Sequence, residues 1–481
     1  IENNTIEGTY GTALLVRSTA AMVINNTVID CGKGLVTYTT SKNLLIFGNT
    51  FNRVVSGMTC SGPLIADHNV FNGTGSGLGM YVSSQAPASF NYNTFSNFSE
   101  GMDLGSGLYK GNVVRDCGNY AMRTPLIAAT IQESTIVNCP YGIQMTGSGH
   151  KLLENTMVSA PIVFMTSNED DLRSYTIPPT NTQNGKPIQF LKDAVDEDIL
   201  PGTYGQVLMV GCSLVSLEDT TIKGEFWYQA AYCDNVTLDS NNVDLTNRST
   251  WRIYHTNDLF VLGNSFNETT LNLGGLRHWI AFNKFDNAGI YSSSVTETYV
   301  NNNTFASDGP TPIRVRNCIE TEMMDNDIHI RIPTTGLYGI VLSGNLDRMV
   351  MRKNAIIGAG ISGPWIEEDR IDHLPDIDTS NTVNGRPILC MDKAVNRTVS
   401  GAYGQIIINT SMEIVIEYVA MGVNDGGISV VRSTGILIDH CSFEGLMNGA
   451  VYARYSGNVS VTNCLFRDGY SGVSLINGVL V

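Results

Sequence analysis

One short motif recurs along almost the whole chain. An Asn followed two positions later by an apolar residue stands at Asn4, Asn26, Asn49, Asn69, Asn93 and Asn112, gives way to Ser134 and returns at Asn155, in steps of 19 to 24 residues. A second run goes from Asn241 through Asn264, Asn283, Asn303 and Asn326 to Asn354, where the step stretches to 28, and Cys441 and Cys464 take the same slot in a third. Around the slot the chain reads Gly, an apolar residue, a short alternating stretch, a Ser/Asn-rich turn and another alternating stretch, as in GLVTYTTSKNLLIFGNTF from Gly34 to Phe51 and GISVVRSTGILIDHCSF from Gly427 to Phe443. Period-two alternation over a few residues, punctuated by Gly, Asn and Ser, is a strand signal, so each unit holds two or three short strands and has no room for a helix. A unit of about 22 residues cannot bury its apolar face alone and must stack on its neighbours.

Stacking at about 4.8 Å per coil builds long parallel sheets and drops the recurring Asn into one column. There its amide donates and accepts between coils, satisfying turn backbone that would otherwise be buried unpaired, and Cys is a small buried substitute. The pattern resembles the right-handed parallel β-helix repeat family over nearly the whole chain. The fold this resemblance implies is all-β, a right-handed parallel β-helix (solenoid) of about 20 coils. It implies little about chemistry, since the same solenoid carries lyases, epimerases, adhesins and phage spikes.

Two inserts, Thr180 to Gln206 (TNTQNGKPIQFLKDAVDEDILPGTYGQ) and Ser380 to Gln405 (SNTVNGRPILCMDKAVNRTVSGAYGQ), are near copies, 200 residues apart. Each follows an acidic patch, Glu169 to Asp171 or Glu367 to Asp369, and contains Asn-Gly-Lys/Arg-Pro, a tight-turn signal that predicts a strand pair interrupting the coils. The organisation read from this is β-helix over 1–166, a spacer at 167–207, β-helix over 208–366, a second spacer at 367–406, and an incomplete β-helix over 407–481. The spacer, with its Gly-Gln ending, resembles that of NosD-like β-helix proteins, including many surface proteins of methanogenic and other archaea. That resemblance implies export, modular repetition and a surface or periplasmic place. NosD itself is associated with copper delivery to nitrous oxide reductase, but no copper motif is matched here, so that role is not carried over.

A net charge of -16, with 29 basic residues that form no stripe, argues against nucleic acid or an anionic membrane as partner. Cations or a saline exterior suit such a chain better. No apolar run approaches the roughly 18 residues of a membrane span, and no secretory leader is present. The sequence opens on Ile1, as a mature or excised segment would. Both ends, Ile1 to Ile6 (IENNTI) and Gly472 to Val481 (GVSLINGVLV), lie inside a repeat without a cap, so the chain is expected to belong to a longer polypeptide or an end-to-end assembly. The 10 cysteines form no Cys-x-x-Cys pair, against a zinc ribbon or thioredoxin-like site. Sequons at Asn3, Asn25, Asn72, Asn97, Asn235, Asn247, Asn267, Asn302, Asn396, Asn409 and Asn458 would be glycan acceptors in a secreted protein, only a slight excess for a chain so rich in Asn, Ser and Thr.

Candidate chemistry is sparse. Met58, Met80, Met102 and Met122 each follow Gly57, Gly79, Gly101 or Ala121; stacked thioethers suit Cu(I), but Leu35 and Ile143 fill the slot in flanking coils, so an interior apolar stack is expected. Asp439-His440-Cys441, in LIDHCSF, is similar to the Ile-Asp-His segment of pectate lyases. Those enzymes also need clustered Asp for Ca²⁺ and a basic residue that abstracts the proton α to a uronate carboxyl. The surrounding Glu444, Arg454, Arg467 and Asp468 form no such cluster, and Asp67-His68 shows that the repeat itself permits the pair. His150, His255, His278, His329 and His373 have no ligand spacing, so neither a metal nor another cofactor is expected at them. The stretch Asp193 to Asp198 and the two acidic patches are candidate Ca²⁺ sites, weighed against solvated loops. Cys117 with Cys139, and Cys441 with Cys464, should stack one coil apart, as disulfides or as buried thiols.

The function expected from these features is an extracellular or cell-surface structural or adhesive protein that presents ladders of Ser, Thr, Asn and Tyr to copies of itself, to other surface proteins or to glycans. The alternative is a polysaccharide lyase or epimerase, which needs Arg or Lys facing uronate carboxylates beside a base. A NosD-like copper-handling protein, the second alternative, needs exposed Met, His or Cys. No catalytic residue is assigned.

Overall fold

The computed structural model describes every residue except 18, 19, 39–42, 83–87, 201, 310, 364–373 and 477–481. The chain is almost entirely β, a right-handed parallel β-helix with about 20 turns. It divides into two compact units. The first comprises Ile1–Ala194, Gly202–Cys212 and Glu225–Gln229; the second comprises Val195–Pro201, Ser213–Gly224 and Ala230–Val481.

In the first unit each coil supplies three strands to three parallel sheets. One sheet runs from Thr12–Val16 through Lys33–Thr37, Ser56–Cys60, Leu78–Val82, Glu100–Asp103, Tyr120–Arg123 and Tyr141–Met145 to Ile162–Phe164. Its register stacks Leu35, Met58, Met80, Met102, Met122 and Ile143 in one buried column. A second inward column stacks Phe51, Phe71 and Phe95 with ring centroids 4.5 and 4.7 Å apart, each pair adding about 0.5–1.5 kcal/mol beyond area burial. The backbone of the next coil, with those rings behind it, explains the Gly before Met58, Met80 and Met102. A Cβ on Gly57 would meet the carbonyl oxygen of Gly79 at 2.2 Å and Phe71 at 3.1 Å, and one on Gly101 would meet the oxygen of Ala121 at 2.2 Å.

The turn ahead of the Asn column is made by one left-handed residue: Asn25 (φ 49), Gly48 (φ 66), His68 (φ 55), Tyr92 (φ 53), Gly111 (φ 63) and Glu133 (φ 51). Gly and Asn adopt that conformation at least cost, and they fill three of these six positions. In the second unit the strands Asn242–Leu262, Ser265–Ala281 and Gly289–Asn301 run through corners by shifting register, and Phe266, Phe285 and Phe305 repeat the stacked column.

The inserts are hairpins. Thr182–Gln183 continues the coil below in parallel, then pairs antiparallel with Lys186 and Pro187 across Asn184 (φ 52) and Gly185 (φ 76). Thr382–Val383 does the same with Arg386 and Pro387 across Asn384 (φ 50) and Gly385 (φ 75). Two successive positive φ values define the type I′ turn that Asn-Gly favours. After each hairpin a new parallel ladder starts, Ile188 opposite Gln206 and Ile388 opposite Gln405. The first spacer, ahead of its hairpin, also contains a helix, Glu169–Arg173, with Asn168 as its N-cap, so the absence of helix expected of the coils does not extend to the spacer. The patch Glu367 to Asp369, and His373, lie outside the described residues.

An interrupted solenoid leaves the backbone edge of its last strand without a partner. Here a primary amide takes the place of the missing peptide. Gln206 accepts from the Ile162 N–H (3.0 Å) and donates to its carbonyl (2.6 Å), and Gln229 does the same for Phe164 (3.1 and 3.3 Å). At the second hairpin Gln405 treats Ile361 identically, at 2.8 and 2.7 Å. Sequence reasoning missed these residues, although the shared Tyr-Gly-Gln ending of the two inserts carries the signal.

Candidate functional site

The Asn column is a hydrogen-bond ladder. Asn69 Oδ1 accepts from the backbone N–H and the Nδ2 of Asn49, both at 2.9 Å, while its own Nδ2 donates to Ile46 O, Asp67 O and Asn93 Oδ1 at 2.9–3.0 Å. The same links run from Asn4 through Asn26 to Asn49, and from Asn93 to Asn112, where Ser134 accepts the next N–H at 3.2 Å. Asn155 follows and bonds to Asn181 at 2.9 Å. In the second unit Asn241, Asn264, Asn283, Asn303, Asn326 and Asn354 repeat the ladder and end on Asn381. Cys441 N–H donates to Cys464 Sγ at 3.4 Å in the same slot. Asn181 and Asn381, which close the two ladders, were not singled out in the sequence because they lie inside the inserts.

Other candidates are dispersed. The four stacked Met are buried, and all 10 cysteines are free thiols. The neighbouring Cys139 thiol and burial push the Cys117 thiol up. Asn3, Asn25, Asn97, Asn235, Asn302, Asn396 and Asn458 are exposed, while Asn72 and Asn267 are partly covered. Asn409 is buried with Nδ2 donated to Asp392 at 2.8 Å, which closes that sequon in the folded coil; Asn247 lies in the strand Asn242–Leu262. Asp193 is engaged by Arg173, and Asp198 accepts from Ser216 at 2.7 Å. Among the described residues no group of three or more His, Cys, Asp or Glu is arranged to hold a metal ion.

Both Asp-His pairs sit on turns. His440 Nδ1 lies 2.7 Å from Asp439, which also accepts from Thr462 (2.8 Å) and Asn463 (2.9 Å). Those hydroxyl and amide bonds, with the imidazole, hold the Asp439 carboxyl down at about 2. His68 repeats the contact with Asp67 at 2.7 Å and stands between the rings of Phe47 and Tyr92. Each imidazole occupies the left-handed turn position, so the repeat's geometry accounts for its placement.

A further feature with binding geometry is a cleft of about 490 Å³ on the outer face of the second unit, lined by Tyr291, Thr311, Arg314, Arg316, Gly336, Tyr338, Val341, Ser343 and Ser362. Its floor is the parallel sheet of Gly289–Asn301, Ile313–Arg316, Ile340–Ser343 and Ile361–Ser362. Alternation in Ile313-Arg314-Val315-Arg316 buries the two aliphatics and turns both guanidinium groups outward. The lining supplies hydroxyls, phenols and positive charge, and among the described residues contains no carboxylate or imidazole. It can therefore hold a hydroxyl-rich or anionic ligand. Sequence reasoning passed over both arginines, though the Arg-Val-Arg alternation was there to read.

The family model described as right handed beta helix region matches residues 1–117. No curated protein matches the chain. Among solved structures, the chain is similar to the A-module of the mannuronan C-5 epimerase AlgE6 of Azotobacter vinelandii. Identity is 11%, over 96% of this chain and 90% of that one. The TM-score is 0.15. No helix among the described residues is long and apolar enough to cross a membrane.

Proposed function

We propose that this chain is a structural and adhesive β-helix protein of the cell surface or extracellular space, which holds polysaccharide against the outer face of its second unit. The cleft carries the proposal. It is open and lined by hydroxyls, phenols and guanidinium groups, and among the described residues no carboxylate or imidazole lines it. Exposed sequons and a low density of surface charge support an exported place. The lyase or epimerase reading has less support, because the Asp-His pairs stand on turns and neither lines the cleft. A NosD-like copper role has less support too, because the stacked thioethers are buried.

The test is a panel of soluble polysaccharides assayed with purified protein for retention in affinity electrophoresis and for unsaturated or epimerised products. Retention without turnover is expected, lost when Ser343→Trp fills the cleft. Turnover, or retention unchanged in Ser343→Trp, would overturn the proposal.

A further inference from the structure

Resting on that reading, we infer that the cleft selects anionic glycans, with Arg314 and Arg316 together clamping a carboxylate or sulfate ester carried on a sugar ring. The argument starts from how arginine is used elsewhere in this chain. Arg53 pairs with Asp30, Arg277 with Asp258 and Arg331 with Asp308, each partner lying one coil away in the solenoid. A chain of net charge -16 has acid to spare for such pairs.

Arg314 and Arg316 depart from this arrangement. Their neighbours in register are neutral on both sides, Tyr291 and Val341 for Arg314, Ser293 and Ser343 for Arg316. Among the described residues neither forms an ion pair, and both are exposed. Alternate residues on a strand lie about 6.8 Å apart at Cα, so two long side chains on one face can converge on a single anionic group. A planar guanidinium bonds carboxylate or sulfate oxygens in a bidentate way. Tyr291 stands beside Arg314 in the sheet and Tyr338 completes the wall, which gives a sugar ring apolar surface and phenol hydroxyls next to the charge.

The experiment measures binding of the whole 481-residue chain to polyuronates, to the same polymers after carboxyl reduction, to a sulfated dextran and to unmodified dextran, each at several salt concentrations. The acidic polymers are expected to bind about tenfold or more tighter than their neutral counterparts, with affinity falling as salt rises. Arg314→Gln and Arg316→Gln should each weaken acidic binding about tenfold, a larger loss than any in neutral binding, with partial rescue by Arg→Lys. Arg397→Gln, an exposed change on another strand, should have no effect. The uronate and sulfate arms tell the two anions apart, and tight binding of either supports the clamp. Neutral polymers bound as tightly as acidic ones, or arginine variants indistinguishable from the parent, would overturn the inference while leaving the polysaccharide reading intact. Failure of every polymer to bind would overturn that reading and the inference with it.

Discussion

Replacing Asn69 in the middle of the first ladder should separate what its amide does from what its volume does. Leu keeps the volume and deletes five hydrogen bonds, two accepted from Asn49 and three donated to Ile46, Asp67 and Asn93. Most of the former partners keep a second bond. Asn49 Nδ2 still reaches Val23 and Phe47, and Asn93 Oδ1 still accepts the backbone N–H of residue 69. The Asn49 backbone N–H does not, and a buried donor left alone costs about 1–3 kcal/mol. With the net loss of the remaining bonds, partly offset by the apolar side chain, Asn69→Leu should destabilise by about 3 kcal/mol. Ser, which already serves at Ser134 by accepting the N–H of Asn112, should restore that one acceptor and lose only about 1–2 kcal/mol. Urea titrations followed by circular dichroism, with amide exchange at Asn49 as the local probe, give the order Asn, Ser, Leu. A Leu variant as stable as the parent, or a Ser variant as damaged as Leu, would refute the ladder as a source of stability.

Three further outcomes are expected. His278 is fully buried with Nε2 3.0 Å from Thr256 O, and burial holds its imidazole down to about 4, so the unfolded chain takes up the proton first. Its share of stability is complete above pH 6.5 and is lost as pH falls toward 4, so relative to His278→Leu, an aliphatic like its ladder neighbour Leu259, the parent should lose about 3 kcal/mol between pH 7 and pH 4; a flat difference would count against it. Gln183 is fully buried with both amide atoms unpartnered, where the second hairpin carries Val383, so Gln183→Val should stabilise by about 1–3 kcal/mol in thermal or urea melts, and a loss would show that the amide is needed. Gln405→Met should cost about 3 kcal/mol and speed amide exchange at Ile361, whereas unchanged exchange would dismiss the cap.

The fold was legible because one residue type marks most coils at a nearly fixed step, and a unit of that length has no stable solution except stacking. Asn and Cys at the ladder slot could be read for the same reason. Asn181 and Asn381 could not, since they stand 26 and 27 residues past Asn155 and Asn354, beyond the usual step and inside segments that read as turns. Gln206 and Gln405 act on backbone 44 residues earlier, a distance that means nothing until the hairpin brings the strands together. The arginines of the cleft stand out only once register shows which side chains flank them. A lone alternation of Ile, Arg, Val and Arg reads as an ordinary solvated strand until Tyr291, Val341 and Ser343 are known to be its neighbours.

The glutamine cap recognises nothing but a peptide N–H and C=O, groups every residue carries, so it is blind to the composition of the strand it closes. Whole turns can therefore be gained or lost by duplication or deletion of one period upstream of the Asn-Gly hairpin without any compensating change at the cap. Evolution can in this way lengthen or shorten a segment in increments of a single turn, moving the cleft by a fixed pitch along the axis of its own unit while its chemistry stays constant. The reach of such a protein is then a matter of copy number, independent of the point mutations that tune its binding.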